Sequence, residues 1–204
     1  MARPIVGVLA VQGDFREHLD ALRAVGAEGR EVRLPADLDG LSGLILPGGE
    51  STAMRTLVHR WNLVAPIKSL AAAGAPILGT CAGAILLATK IDDGDEPVLS
   101  LLDMSVRRNA FGRQLESFET PLSMQGLGAN GRAGTLKAVF IRAPQITGVG
   151  SSARVVATLA DGRVVAAAQG NILGIAFHPE ISGELRLHRA LARAATRFSR
   201  RRRH

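Results

Sequence analysis

Pro76-Ile77-Leu78-Gly79-Thr80-Cys81-Ala82-Gly83-Ala84-Ile85-Leu86-Leu87-Ala88 is the stretch on which the fold turns. Pro76 to Gly79 reads as a short buried strand, and Ala82 to Ala88 restarts the chain as a helix. Glycines stand two places before and two places after Cys81, the one cysteine of the chain. A strand that passes so abruptly into a helix is a nucleophile elbow, a turn too sharp for side chains at the flanking positions. Cys81 then sits at a helix N-terminus, a position that favours thiolate, and the Ala82 N–H is directed toward any oxyanion formed beside the sulfur.

Outward from the elbow, strand and helix alternate. Ile5 to Val11 is strand-like, and Phe15 to Val25 is helical, with Leu19, Leu22 and Val25 near one face and Gly26 as its stop. Leu44 to Leu46 is a second buried strand, followed by Pro47-Gly48-Gly49-Glu50-Ser51 and a helix that Ser51 is expected to cap. Pro66 to Ala73 is a further helix, stopped by Gly74. This order predicts an α/β fold of flavodoxin-like type, with a mainly parallel central sheet and helices on both faces. The second half changes character. Ala153 to Ala160, Arg163 to Gln169 and Ile172 to Phe177 are β-rich runs separated by Asp161-Gly162 and Gly170-Asn171, so an antiparallel C-terminal meander is expected. Leu185 to Phe198 closes the chain as an amphipathic helix. Residues 1–198 therefore read as a single domain and 199–204 as a basic tail.

Composition narrows the function. Of 204 residues 47% are hydrophobic and 21% charged, which fits a packed domain and excludes a disordered chain. The net charge is +7, but Arg200 to Arg203 contribute four of those charges, and with 3% aromatics and no tyrosine the stacking surface of a single-strand binder is missing. No nucleic-acid partner is expected. Ser69 to Thr89 carries no charge over a length that could span a bilayer, yet Gly74, Pro76, Gly79 and Gly83 break it into pieces, so it reads as core and not membrane. A lone cysteine forms no internal disulfide, and a reducing, cytoplasmic location is expected.

The partner for Cys81 is found in His178-Pro179-Glu180. In an extended segment residues two apart share a side, so Glu180 can orient the His178 imidazole while His178 takes the thiol proton. His18, His59, His188 and His204 lie among charged neighbours and read as solvated. Gly126 to Gly131 matches G-x-G-x-x-G without a surrounding βαβ unit and reads as a loop. His178-x-Glu180 also matches the H-x-E of zinc deaminases, but their second motif needs two cysteines. No metal and no cofactor is expected.

With these residues in place the chain resembles the class I glutamine amidotransferases, and within them the glutaminase subunits of pyridoxal 5′-phosphate synthase. The resemblance rests on the Cys81 elbow with His178 and Glu180, on Leu9 to Gly13 with Arg16-Glu17-His18, on Pro47 to Thr52, on Arg108 to Gln114, and on Phe140 to Pro144. It implies hydrolysis of L-glutamine through a γ-glutamyl thioester on Cys81. It also implies transfer of the ammonia to a partner synthase subunit with a TIM-barrel fold, in a hetero-oligomer. Carried over by motif, Gly48, Gly49, Glu50, Arg108, Ile141 and Arg142 line the glutamine site, with Arg108 preferred to Arg107 by register. Ala82 and Gly13 are implied at the oxyanion, Gly13 by letting the Gln12-Gly13 peptide reorient when the partner docks. Valine at position 13 is expected to spare the basal rate. Two alternatives stay open: a glutaminase feeding another synthase, such as imidazole glycerol phosphate synthase, and a non-catalytic redox or binding protein of related fold.

Overall fold

A computed structural model describes residues 4–108, 117–128 and 132–202. The Asn109 to Gln114 part of one motif, Ala129 to Gly131 of the Gly126 to Gly131 loop, and His204 lie outside the described residues. Among the described residues ten strands form one sheet. Its parallel half runs β2 (Glu28–Val32), β1 (Ile5–Leu9), β3 (Gly43–Leu46), β4 (Ile77–Thr80) and β12 (Ile172–Ile175). The sheet continues through β11 (Val164–Gln169), β9 (Gln145–Val149), β6 (Leu102–Arg107) and β5 (Ala88–Ile91), with β10 (Arg154–Thr158) paired to β11 off this path. β7 (Ser117–Met124) and β8 (Gly134–Ile141) form a separate antiparallel pair.

The two faces follow from residue alternation along the strands. Leu44 and Leu46 point into one core with Met54, Val58, Ile67 and Leu87, supplied by α2 (Ser51–Arg60), α3 (Val64–Ala72) and α4 (Ala82–Leu87). Val6, Val8 and Ile45 point into the other with Leu22, Leu187, Leu191 and Ala195, supplied by α1 (Phe15–Ala24) and α5 (Arg186–Arg201), while Phe140 adds the β7–β8 pair. β3 and β4 are buried throughout, as expected of central parallel strands covered on both faces.

The expected architecture holds, with corrections of detail. Ile172 to Ile175 is both the last strand of the meander and a member of the parallel half, antiparallel to β11 and parallel to β4. It ends at Ile175 and not at Phe177. Helix α2 is capped by Glu50, whose carboxylate accepts from the N–H groups of Thr52 and Ala53 at 2.9 and 2.6 Å, and Ser51 is its first residue. Glutamate reaches both orphan donors with its two oxygens, where a serine offers one. The closing helix runs on to Arg201, so Arg200 and Arg201 belong to its last turn.

The elbow is the tightest part of the fold. A Cβ at Gly83 would meet the Leu46 carbonyl oxygen at 1.9 Å, because α4 starts directly against the end of β3. Gly83→Ala is expected to cost a few kcal/mol, lowering the Tm by roughly 5 to 10 °C. Gly148→Ala, whose Cβ would meet only the Ser105 side chain from 3.7 Å, is expected to leave it nearly unchanged. Paired thermal melts check the difference.

Candidate active site

Register assembles the site. β12 lies beside β4 with Ile175 opposite Thr80, and the Cys81 N–H donates to the Ile175 carbonyl at 2.8 Å. The residues that follow each strand therefore emerge side by side at one end of the sheet, the end where α/β folds hold their ligands. Cys81 adopts φ 47 and ψ −106, a conformation that costs a non-glycine residue free energy and fits the strained turn expected of an elbow. The segment after β12 is tied down by its backbone: Ala176 N–H donates to Val165 O, and His178 N–H to Val139 O.

His178 Nδ1 meets Glu180 Oε1 at 2.7 Å, and both side chains are essentially buried. This pairing was expected from an extended segment, whereas it arises in the turn beyond the strand. Nε2 of His178 is buried with no well-formed hydrogen bond and is the ring atom left to serve Cys81. Burial works against charge on His178, but the hydrogen bonds and opposite charges of Cys81 and Glu180 outweigh it and hold the imidazole up at about 10. Burial also pushes the Glu180 carboxyl up, opposed by the hydrogen bond to His178. Gly48 stands behind the ring, where a Cβ would lie 2.3 Å from His178 Cε1.

A cleft of about 470 Å³ opens over these groups, a size suited to a small metabolite. Cys81, Ala82, His178, Gly13, Gly49, Glu50, Arg108, Ile141 and Arg142 line it; Gly48 does not, and Arg107 is exposed elsewhere. Arg108 is braced by Asp95 at 2.6 Å and by Asp93 at 3.5 Å, and its Nη1 donates to Thr52 Oγ1 at 3.2 Å. Glu50 spends both carboxylate oxygens on the α2 cap, and the N–H of Thr52 leads the interactions that lower its carboxyl below the usual range. Gly13 has φ 97, and a Cβ there would lie 1.8 Å from Gly48 O. A valine at 13 therefore strikes the strand-end loop behind His178, and the expectation that it would spare the basal rate is corrected on that ground.

Wall groups that were not anticipated include the side chain of Gln12, whose Oε1 accepts from the Glu50 N–H at 2.8 Å, and Asp14, whose Oδ2 lies 3.5 Å from His178 Nδ1. Larger corrections concern His18 and His188. Both were read as solvated, and both are fully buried. His18 sits one turn before Leu22 on the inner face of α1, and His188 one turn before Leu191 on the inner face of α5. That spacing marks both as inward-facing despite the charged residues beside them. His59 is exposed, as expected.

Burial, then the neighbouring His188 and His178, hold His18 well below the ordinary histidine range, and burial lowers His188 to about 4. Unfolded histidine takes its proton near ~6.5, so the unfolded chain binds protons that the folded pair refuses, and stability is lost as pH falls from about 6.5 toward about 4. His178 has the opposite sign, with stability present below ~6.5 and lost as pH rises toward about 10. Urea unfolding of His188→Phe between pH 7 and 4.5 is expected to show a shallower acid-side loss than wild type, by up to about 3 kcal/mol. An unchanged slope would contradict burial of a neutral imidazole at 188.

A sheet whose parallel half brings an elbow cysteine and a buried histidine–glutamate pair to one open cleft fits a protein of glutamine amidotransferase type. The chain belongs to the SNO glutamine amidotransferase family, whose model matches residues 8–196. It is 54% identical over 182 residues to the pyridoxal 5′-phosphate synthase subunit PdxT of Geobacillus kaustophilus, covering 89% of this chain and 90% of that protein. The subunit of the same name from Deinococcus radiodurans is 54% identical over 189 residues, covering 90% and 93%. A solved structure described as a glutamine amidotransferase superposes with TM-score 0.86 at 44% identity, over 94% of this chain and 98% of that one. PurLQS from Thermotoga maritima, at 18% identity and TM-score 0.72 over 97% and 99%, shares the fold.

Proposed function

We propose that this chain is the glutaminase subunit of a pyridoxal 5′-phosphate synthase, hydrolysing L-glutamine to L-glutamate and ammonia and passing the ammonia to a partner synthase subunit. The reading is carried by the pairing of His178 Nδ1 with Glu180 at 2.7 Å, which leaves Nε2 for the elbow cysteine in the same cleft. It is supported by relatives above 50% identity along nearly their whole length that bear the name of such a subunit.

Chemically, Cys81 gives its proton to His178 Nε2 and the thiolate attacks the side-chain amide carbon of glutamine. The carbonyl electron pair moves to oxygen, toward the Ala82 N–H and the Gln12-Gly13 peptide. Collapse of this intermediate breaks the C–N bond, and the nitrogen takes the proton from His178 and leaves as ammonia. Water then attacks the γ-glutamyl thioester, giving a proton to His178, and the C–S bond breaks to restore the thiol and release glutamate. Glu180 stays ionised to balance the imidazolium. Arg142, which has no ion pair with any described residue, is the cation for the substrate α-carboxylate, and Arg108 forms the wall beside it. Gly49 and Glu50 close the opposite side through their backbone, and Ile141 sits beside the sulfur, its carbonyl 3.9 Å from Cys81 Sγ.

A partner with a TIM-barrel fold and a cytoplasmic location belong to the same proposal. No described helix is long and apolar enough to cross a membrane, and a mechanism that needs a reduced thiol suits a reducing compartment. Cys81→Ala is expected to lower ammonia release from glutamine at least about 10⁴-fold, with and without added synthase subunit, while the fold survives. Glu180→Gln is expected to lower kcat roughly 10²- to 10⁴-fold with little change in KM. Turnover retained by Cys81→Ala would overturn the reading.

A further inference from the structure

The mechanism above uses one oxygen of Glu180. The other, Oε2, is buried and lacks a well-formed hydrogen bond, an expensive state for a carboxylate that must be an anion when His178 is charged. Among the described residues the nitrogen facing it is His18 Nε2, at 3.5 Å. The same nitrogen lies 3.2 Å from the hydroxyl of Thr80, the residue immediately before the nucleophile. On the far side of the ring, His18 Nδ1 meets His188 Nε2 at 2.8 Å, with the two rings tilted 45° to each other. A continuous buried chain thus runs from His178 through Glu180 and His18 to His188, linking α1 and α5 to the reacting centre.

A hydrogen bond between two neutral imidazoles admits one proton, and its position decides what Glu180 faces. With the proton on His18 Nδ1, His18 Nε2 carries a lone pair, which repels Oε2. With the proton on His188 Nε2, His18 accepts at Nδ1 and presents an N–H at Nε2 between Thr80 Oγ1 and Glu180 Oε2. The Glu184 carbonyl is an opposing influence, because it favours a proton on His188 Nδ1, but Nδ1 makes no well-formed hydrogen bond, so that contact does not fix the proton and the need of Glu180 Oε2 for a donor decides its place. The charged and titratable neighbours of the pair are Glu180 and His178 from the segment after β12 and Glu184 before α5.

We propose that His18 and His188 are positioning residues of the glutaminase, a neutral pair in which His188 sets the tautomer of His18 so that His18 Nε2–H holds Glu180 Oε2. The 3.5 Å separation is long for a hydrogen bond and closes when His178 takes the thiol proton and Glu180 carries full charge. The inference rests on the proposed glutaminase activity for its kinetic consequence, but not for its structural one.

The test has two arms. In the full chain labelled with ¹⁵N-histidine, the resting His18 ring is expected to show a protonated Nε2 and an unprotonated Nδ1, with the reverse for His188. The opposite tautomer would overturn the proposal, whatever the activity. In the second arm, with the synthase subunit present, His18→Phe is expected to lower kcat by about 10- to 100-fold, the usual scale for groups behind a reacting centre, with KM for glutamine within about twofold. His18→Gln is expected to recover most of that loss, because one amide both accepts from His188 and donates to Glu180. Equal losses for Phe and Gln, or a loss confined to KM, would overturn it. A wild-type protein that makes no ammonia would instead defeat the functional reading while leaving the tautomer result to stand or fall alone.

Discussion

The close approach of α4 to the end of β3 is the constraint from which the site follows. Gly83 permits it, because any side chain there would drive into the Leu46 carbonyl. With the helix seated so tightly, Thr80 and Ala82 leave Cys81 no relaxed backbone, and it is held at φ 47 at the mouth of the cleft. The fold absorbs that strain with two cores of buried aliphatic side chains, one on each side of the sheet. In the proposed mechanism the nucleophile is thereby held by a tightly packed part of the molecule, where a small displacement of sulfur from histidine would be costly in rate.

The same constraint explains why a polar chain is tolerated so deep in the protein. β4 and β12 carry Cys81 and His178 to neighbouring positions, but an imidazole paired to a buried carboxylate is stable only if the remaining polar atoms find partners. α1 brings His18 and α5 brings His188, so helices that otherwise contribute Leu22, Leu187 and Leu191 to an apolar core also supply the polar layer behind the proposed triad. Packing and chemistry are joined in these two helices.

What the sequence revealed follows from how each signal is encoded. The elbow was legible because glycine spacing and an uninterrupted apolar run are local, and His178 with Glu180 was legible because they stand two positions apart. β2 was hidden: its residues Glu28 to Val32 include three charges, and an edge strand with mostly open side chains lacks the apolar pattern of a central one. β5, β6, β7 and β9 escaped for a related reason, although β6 shows buried and partly exposed residues in alternation. His18 and His188 were misread because Arg16, Glu17, Arg186 and Arg189 surround them in the chain. Neighbours along a helix lie on different faces, and only spacing to Leu22 and Leu191 discloses which way the imidazoles point. Their contact spans 170 positions and has no local signature at all.

A strained elbow cysteine served by a buried His178–Glu180 pair should form a covalent acyl enzyme at one defined atom. Mixing the protein with glutamine in the presence of the proposed synthase partner, quenching in acid within a turnover, and mapping the product by peptide mass spectrometry measures this directly. The account predicts a hydroxylamine-labile glutamyl adduct confined to the peptide bearing Cys81. Ammonia release with no adduct at Cys81 under any quench time, or an adduct on a different residue, would contradict it.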